Sequence, residues 1–308
     1  MREQPADLTD SDVAGALAAG WGINAPTVRY LPVGAGGHHW SAPPWFVTVT
    51  AYSPALEQAL DTAARLELDF VVAAIRTLDG TMVHRLGDDR AVAVHPFVSG
   101  STGSFGPHPA ADRESVLDLL IALHEATVPA PRTDLRLPGR GALESALAGL
   151  DRPWISGPYA EPARRLLAEH AAEVTARLAR FDTLRAALPP PDSWVVTHGE
   201  PHPGNVLRTP AGPLLIDWDT VRLAPPERDL WMLTEAMIDA PPSPDISLLS
   251  RYEKETGRSV SSAAVDFYRN MWILMDIAAY TDDLRRPHTE GADLAAALDY
   301  LAANLRSA

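Results

Sequence analysis

The chain has 308 residues, enough for a large core and for two lobes. Its 46% apolar and 21% charged residues are a globular composition and exclude a disordered chain. With 40 acidic against 26 basic residues the formal net charge is −14; no basic cluster is present, so nucleic acid is not an expected partner, and the absence of cysteine excludes disulfides, thiolate metal sites and thiol catalysis. No apolar run approaches the roughly 18–20 residues of a membrane span. The opening Met1–Asp7 lacks the basic-then-apolar pattern of a signal peptide, so a cytoplasmic protein without a membrane partner is expected.

Residues 8–19 read as a short amphipathic helix with Thr9 or Asp10 as its cap. Thr27–Val33 alternates like a strand and runs into a turn containing Gly34, Gly36 and Gly37. Glycines there let backbone amides approach phosphates, although a plain hairpin turn has the same composition. A trimmed second strand follows, then Trp45–Val49 as a third. Residues 54–69 are expected as a helix with Leu56, Leu60, Ala63 and Ala64 on its apolar face, bordered by Glu57. Val71–Ile75 and Met82–Leu86 flank Asp79-Gly80, a favourable hairpin turn, and Arg90–Val98 is a further strand ending in the polar run Ser99–Gly103.

From residue 110 the pattern turns helical. Arg113–Thr127 places Val116, Leu119, Leu120, Leu123 and His124 at helical spacing, with His124 expected as a packing residue. Glu161–Leu188 reads as one long helix stopped by Pro189–Pro191. Leu230–Ile238 is expected as a helix with Trp231 and Glu235 on one face. Ala263–Leu284 is another, setting Tyr268, Trp272, Asp276 and Tyr280 four residues apart. Rings interleaved with carboxylates suit an amine-bearing acceptor, so Trp231, Glu235, Trp272 and Asp276 are the expected acceptor-binding residues; ordinary helix packing is the competing account. Ala240–Ser247 reads as a loop over the site.

The densest signal is polar. His198, Glu200 and Asn205 fall at i, i+2 and i+7, and Asp217 and Asp219 follow, each group beside an apolar run that reads as a buried strand. A loose phosphoryl-transfer transition state needs positioning and charge neutralisation more than covalent chemistry. Glu200 fits a general base near an attacking hydroxyl. Asn205 and Asp217 offer hard oxygen ligands, which suit Mg²⁺ and not Zn²⁺, while His198 is expected to brace the loop. The alternative is two strand–turn units with acidic residues as turn formers.

Together these segments resemble the catalytic and metal loops of the aminoglycoside phosphotransferase family, relatives of protein kinases whose loop usually reads HGDxxxxN. Pro225–Trp231 resembles that family's next element, in which an Asp (here Asp229) steadies the catalytic loop. The resemblance implies an α+β, bilobal protein-kinase-like fold with a small antiparallel β lobe and a larger, mainly helical lobe. Residues 1–100 would bind nucleotide, a hinge would lie near 95–103, and residues 104–308 would hold the catalytic and acceptor sites. It implies Glu200 as the catalytic base with His198 and Asp229 beside it, Asn205, Asp217 and Asp219 at the metal, and ATP or GTP with Mg²⁺. The adenine would meet the backbone at His95, Phe97 and Val98, below phosphates near Gly34, Gly36 and Gly37.

Two departures stand out. Glu200 replaces the usual Asp and reaches about 1.2–1.5 Å further from the backbone. Thr48 occupies the position of a phosphate-binding lysine, and Lys254 is the only lysine in the chain; His38, His39, Arg65 and Arg76 are the substitutes to consider. The expected function is transfer of the γ-phosphate to a hydroxyl of a small, cationic molecule such as an aminoglycoside-like antibiotic, conferring resistance. The alternatives are a weakened kinase-like binding or regulatory protein, and a kinase of a metabolite such as choline or a sugar.

Overall fold

The computed structural model describes residues 1, 3–34, 36–234 and 246–306. In chain order the elements begin α1 (Asp10–Trp21), β1 (Arg29–Leu31), β2 (His38–Ala42), β3 (Trp45–Ala51), α2 (Pro54–Arg65), β4 (His84–Leu86), β5 (Arg90–Pro96) and α3 (Ala110–His124). They continue with α4 (Arg140–Ala148), α5 (Ala160–Glu169), α6 (Ala171–Ala186), β6 (Val195–Thr197), β7 (Val206–Thr209), β8 (Gly212–Leu215), β9 (Arg222–Ala224), α7 (Glu227–Leu230), α8 (Ile246–Thr256), α9 (Ser262–Arg285) and α10 (Ala292–Arg306). Contacts divide the chain into two units, Met1–Thr133 with Trp194–Leu233, and Asp134–Ser193 with Thr234–Ala308.

In the first unit an antiparallel sheet runs in the order β1-β2-β3-β5-β4. Strand alternation sorts its faces. Trp40, Ala42, Val47, Val49, Val92 and Val94 are buried in one core with Leu17 and Trp21 of α1. The opposite face carries Phe46 and Thr48, with Ser41 and His39 beside them on β2 and His95 and Ala93 on β5. Ala91 and Ala93 share a second core with Leu56 and Leu60 of α2 and with Met82. Thr9 caps α1 in a reciprocal capping box with Asp12, and Ser53 caps α2 ahead of Pro54.

Below this sheet, β7 and β8 form a hairpin and β6 pairs with β9. The run Ser99–Gly103 is tied to that hairpin: Ser101 and Arg208 exchange backbone bonds of 3.1 and 2.9 Å, and Gly103 N donates to Pro203 O at 2.9 Å. A Cβ on Gly100 would stand 2.7 Å from Arg208 O, so only glycine permits this approach.

The second unit is helical. α9 packs against α4, α6 and α10, with Phe267 5.0 Å from Phe181 of α6. Asn270 clamps α6 by accepting from Arg177 Nη1 and donating to Arg177 O, and Arg140 of α4 grips Asp182 with two bonds. Among the described residues no helix is long and apolar enough to cross a membrane.

Several sequence expectations shift. Residues 54–69 form a helix only to Arg65, because Glu67 turns into a left-handed conformation at φ 51°. Val71–Ile75 is not a strand of the sheet. Val72 N donates to Leu215 O and Leu215 N to Phe70 O, so this run attaches to β8, and only His84–Leu86 of the expected hairpin enters the sheet. An unbroken apolar run has no alternation to say which partner it takes. The long helix at 161–188 is two, broken at His170 (φ −106°, ψ 15°). After Leu230 the helix tightens to a 3-10 turn over Trp231–Leu233, and Glu235 and most of the Ala240–Ser247 loop lie outside the described residues.

Candidate active site

The loop after β6 is organised by one carboxylate. Asp229, fully buried on α7, accepts from His198 N at 2.9 Å, from Gly199 N at 2.6 Å and from His124 Nε2 at 3.0 Å. Burial acts to raise its pKa, but the bond and charge of His124, with Arg228 and His198 behind it, outweigh burial and hold the carboxyl below its ordinary value. Arg228 sits alongside, donating to Thr197 Oγ1 and Thr220 O at 2.8 Å each. Gly199 has φ 102°, and a Cβ there would fall 2.2 Å from Arg228 Nη2, so glycine is required twice over.

His198 is a brace. Its ring lies 4.6 Å from that of Trp218, Nε2 is 2.9 Å from Ile216 O, and Nδ1 receives Glu200 N–H at 3.2 Å. A carbonyl on one side and an N–H on the other require the proton on Nε2. Burial pushes the pKa down to about 4, so the imidazole is neutral at physiological pH. This arrangement ties the backbone at Ile216, just before Asp217, to the backbone at Glu200.

Asn205 completes the loop. Its Nδ2 donates to Glu200 O at 3.0 Å, which fixes the amide and leaves Oδ1 as the outward acceptor. Its backbone carbonyl receives Ile216 N–H at 3.0 Å, drawing the run that leads into Asp217 against it. Asp217 follows in a left-handed backbone conformation (φ 67°) that Asp tolerates better than most residues. Asp217 and Asp219 present surface to solvent, yet protein crowds their carboxylates. That crowding raises Asp217, and it raises Asp219 well above the usual range, with the charges of Asp217 and Glu200 adding to it. Asp217 and Glu200 therefore both stand close enough to Asp219 to act on its charge. No three His, Cys, Asp or Glu side chains among the described residues converge tightly enough to hold a metal alone. Two carboxylates and one amide oxygen are the sparse donor set that suits Mg²⁺, which keeps waters and phosphate oxygens as its other ligands.

On the sheet, Gly34, Gly36 and Gly37 form the turn before β2, and Gly34 and Gly36 have φ of 71° and 81°. His95 lies opposite Phe46 on β5, with its Nδ1 buried and unpartnered. Phe97 is 46% exposed and stands 6.5 Å from Phe46, but its N–H donates to Pro44 O. Val98 is half-buried. Thr48 meets His39 Nδ1 at 3.2 Å, Glu57 accepts Met82 N–H at 2.6 Å, and Arg65 and Arg76 both pair with Asp61. His38 turns to Tyr30 on the other face, with Nδ1 3.3 Å from its hydroxyl.

The expected acceptor residues fall in both units. Trp231 is buried in the first unit at 2% exposure. Trp272 and Asp276 belong to the second unit, where burial raises the Asp276 carboxyl to about 6 against hydrogen bonds from Asn304 (3.2 Å) and Trp272. Tyr280 stacks near Tyr300 at 5.7 Å, and burial raises its hydroxyl. Sequence reasoning missed Arg228 and the role of His124; the signals were an Arg beside Asp229 and a His ending an apolar helix.

Replacing Gly199 by Ala or Asp229 by Ala is expected to cost about 2–4 kcal/mol, through a clash in one case and orphaned buried donors in the other, read as lower urea midpoints. Asp276→Asn tests burial in the second unit. A carboxyl held near 6 when folded, against 3.8 unfolded, loses stability as pH rises between those values, and the cost is complete above about pH 6. The Asn variant should melt higher than wild type at pH 8 and equally at pH 3.5.

Comparison with known proteins bears on this arrangement. Among solved structures, spectinomycin phosphotransferase APH(9)-Ia in complex with ADP and spectinomycin superposes with a TM-score of 0.74 at 18% identity, over 96% of this chain and 94% of that one. A microcompartment-associated aminopropanol kinase gives 0.62 at 17%, over 96% and 95%. Choline kinase LicA from Streptococcus pneumoniae gives 0.53 at 14%, over 97% and 99%. At these identities the likeness speaks to the fold, the mixed kinase-like α+β fold. No curated protein matches the sequence. The model of the phosphotransferase enzyme family matches residues 39–268, from the second strand of the sheet through the catalytic and metal loops into α9, and the chain belongs to that enzyme family.

Proposed function

We propose that the protein transfers the γ-phosphoryl group of ATP or GTP to a hydroxyl of a small cationic acceptor, an aminoglycoside-like or other basic antibiotic being the best fit. The observation that carries this reading is the approach of Asp217 and Glu200 to Asp219, with the Asn205 amide nitrogen bonded to Glu200 O and its oxygen left as an acceptor. No Lys or Arg among the described residues is ion-paired with Asp217 or Asp219. The charge of Arg222 offsets part of the repulsion at Asp219, and a cation between the carboxylates would offset more.

Asn205, Asp217 and Asp219 would hold Mg²⁺, which when bound neutralises charge on the β- and γ-phosphate oxygens. Glu200 receives the proton of the acceptor hydroxyl as its oxygen bonds to the γ-phosphorus. The bridging oxygen to the β-phosphate departs with its electron pair, leaving the nucleoside diphosphate. The Glu200 backbone is clamped by His198 and Asn205, so the chain that carries the base is fixed before substrate arrives. Asp229 and His198 act by holding that clamp. The aromatic faces of Phe46 and Phe97 would take the base of the nucleotide, and the glycine turn its phosphates. An acidic chain of net charge −14 supports a cationic acceptor.

A second reading keeps the ligand sites without efficient transfer. Thr48 stands where a lysine is expected, and Glu57 is engaged with Met82 N, so no lysine–glutamate pair is formed on this sheet.

Incubation with Mg-nucleotide and a panel of hydroxylated amines, read by mass spectrometry, separates the two. Transfer predicts a product heavier by one phosphoryl group, lost on chelation and lost in Asp217→Ala at unchanged melting temperature. Glu200→Gln should lower kcat about 10²–10⁴-fold with nucleotide affinity retained. Turnover that survives Asp217→Ala would refute the metal assignment; acceptor-induced thermal shifts without any product would favour the binding protein.

A further inference from the structure

The face of the sheet opposite the α1 core carries one imidazole whose position the phosphotransfer set does not explain. His39 of β2 lies across from Thr48 of β3, with Nδ1 3.2 Å from Thr48 Oγ1 and its ring 5.1 Å from Phe46 at 30°. Nε2 has no hydrogen-bond partner among the described residues. That atom sits under the glycine turn. A Cβ on Gly34 would come within 2.9 Å of it, and one on Gly37 within 3.8 Å. Any side chain at Gly34 would therefore press on the imidazole, and φ 71° at that position also favours glycine.

Burial holds the ring neutral, so it carries one N–H. Thr48 can donate its hydroxyl proton to Nδ1, which leaves the ring proton on Nε2 facing the turn. The other side chains considered for a phosphate contact are engaged elsewhere: Arg65 and Arg76 with Asp61, His38 with Tyr30. That donor lies beneath a turn whose Val33, Gly34 and Gly37 carbonyls hold the Met1 ammonium, and an N–H beside that positive charge is matched to an oxyanion rather than to a purine edge.

We propose that His39 donates from Nε2 to a phosphate oxygen of the bound nucleotide, with Thr48 as the residue that orients the ring. The proposal rests on the nucleotide site set out above and assigns the phosphate contact that a lysine at position 48 would otherwise make. Thr48 is in this account a positioning residue, and replacing it should weaken the contact without removing it.

Calorimetric titration of the full chain with Mg·AMP-PNP and, separately, adenosine tests this. His39→Ala should weaken Mg·AMP-PNP about 10–100-fold, as expected for loss of one hydrogen bond to a charged group, and shift adenosine by less than about twofold. Thr48→Val should weaken Mg·AMP-PNP by about 2–5-fold. His39→Gln, which keeps a nitrogen donor, should recover part of the loss and guards against misfolding of the Ala variant. Equal affinity of wild type and His39→Ala for Mg·AMP-PNP overturns the proposal while leaving the phosphotransferase reading intact. Parallel loss of adenosine and Mg·AMP-PNP overturns it too, since that marks a structural role. A wild type that binds neither ligand overturns both.

Discussion

A single buried carboxylate holds the candidate active site in shape. Removing Asp229 from water would be costly for an isolated charge. Two backbone N–H groups and the His124 imidazole offset that cost, and the carboxyl stays acidic in spite of its burial. Because two of those donors are consecutive amides of the catalytic loop, the same interaction that solvates Asp229 also fixes the path of His198 and Gly199. Arg228 fills the space that Gly199 leaves and bonds to Thr197 and Thr220. Loop, helix and glycine form one unit, and none can be altered alone.

From that anchor the order spreads through neutral groups. His198 connects Ile216 to Glu200 with one proton and one lone pair, and Asn205 returns from Glu200 O to Ile216 N. The segments 198–205 and 216–219 are thereby cross-linked by two uncharged polar contacts, at Ile216 O and Ile216 N, with two more inside the first segment. Charge is left concentrated at the exposed end of the site, on Glu200, Asp217 and Asp219. Preorganisation of this kind places the energetic cost of gathering carboxylates on folding rather than on the chemical step. The left-handed Asp217 belongs to the same economy of strain, of order 1–3 kcal/mol.

The sheet follows another logic. Its α1 side is a dry core of Trp, Val and Ala, whereas the opposite face carries Phe46, Thr48, His39 and His95. His39 and His95 are both held near pKa 4, chiefly by burial, so these two imidazoles are uncharged. A nucleotide site of that character would draw on stacking and single hydrogen bonds where a lysine would supply a full charge. Anchoring of Ser101 and Gly103 to β7 and Pro203 keeps the strand end in register with the catalytic hairpin.

By itself the sequence determined the elements whose signals are local: the cap at Thr9, the trimmed second strand and the third strand at Trp45, α9 to within a residue or two, and the HxExxxxN and IDxD spacing. Spacing works there because apolar strands on either side hold short loops at set positions. Tertiary structure alone decided the rest. Val71–Ile75 took β8 as partner because an apolar run carries no register of its own, and the helix at 161–188 broke at His170 where periodicity runs on unchanged. His124 and Asp229, 105 residues apart, became partners only when α3 met α7. His39 came to lie on Thr48 through strand pairing that neither residue signals. Contacts between distant segments depend on which faces bury together, and no local pattern of side chains encodes that choice.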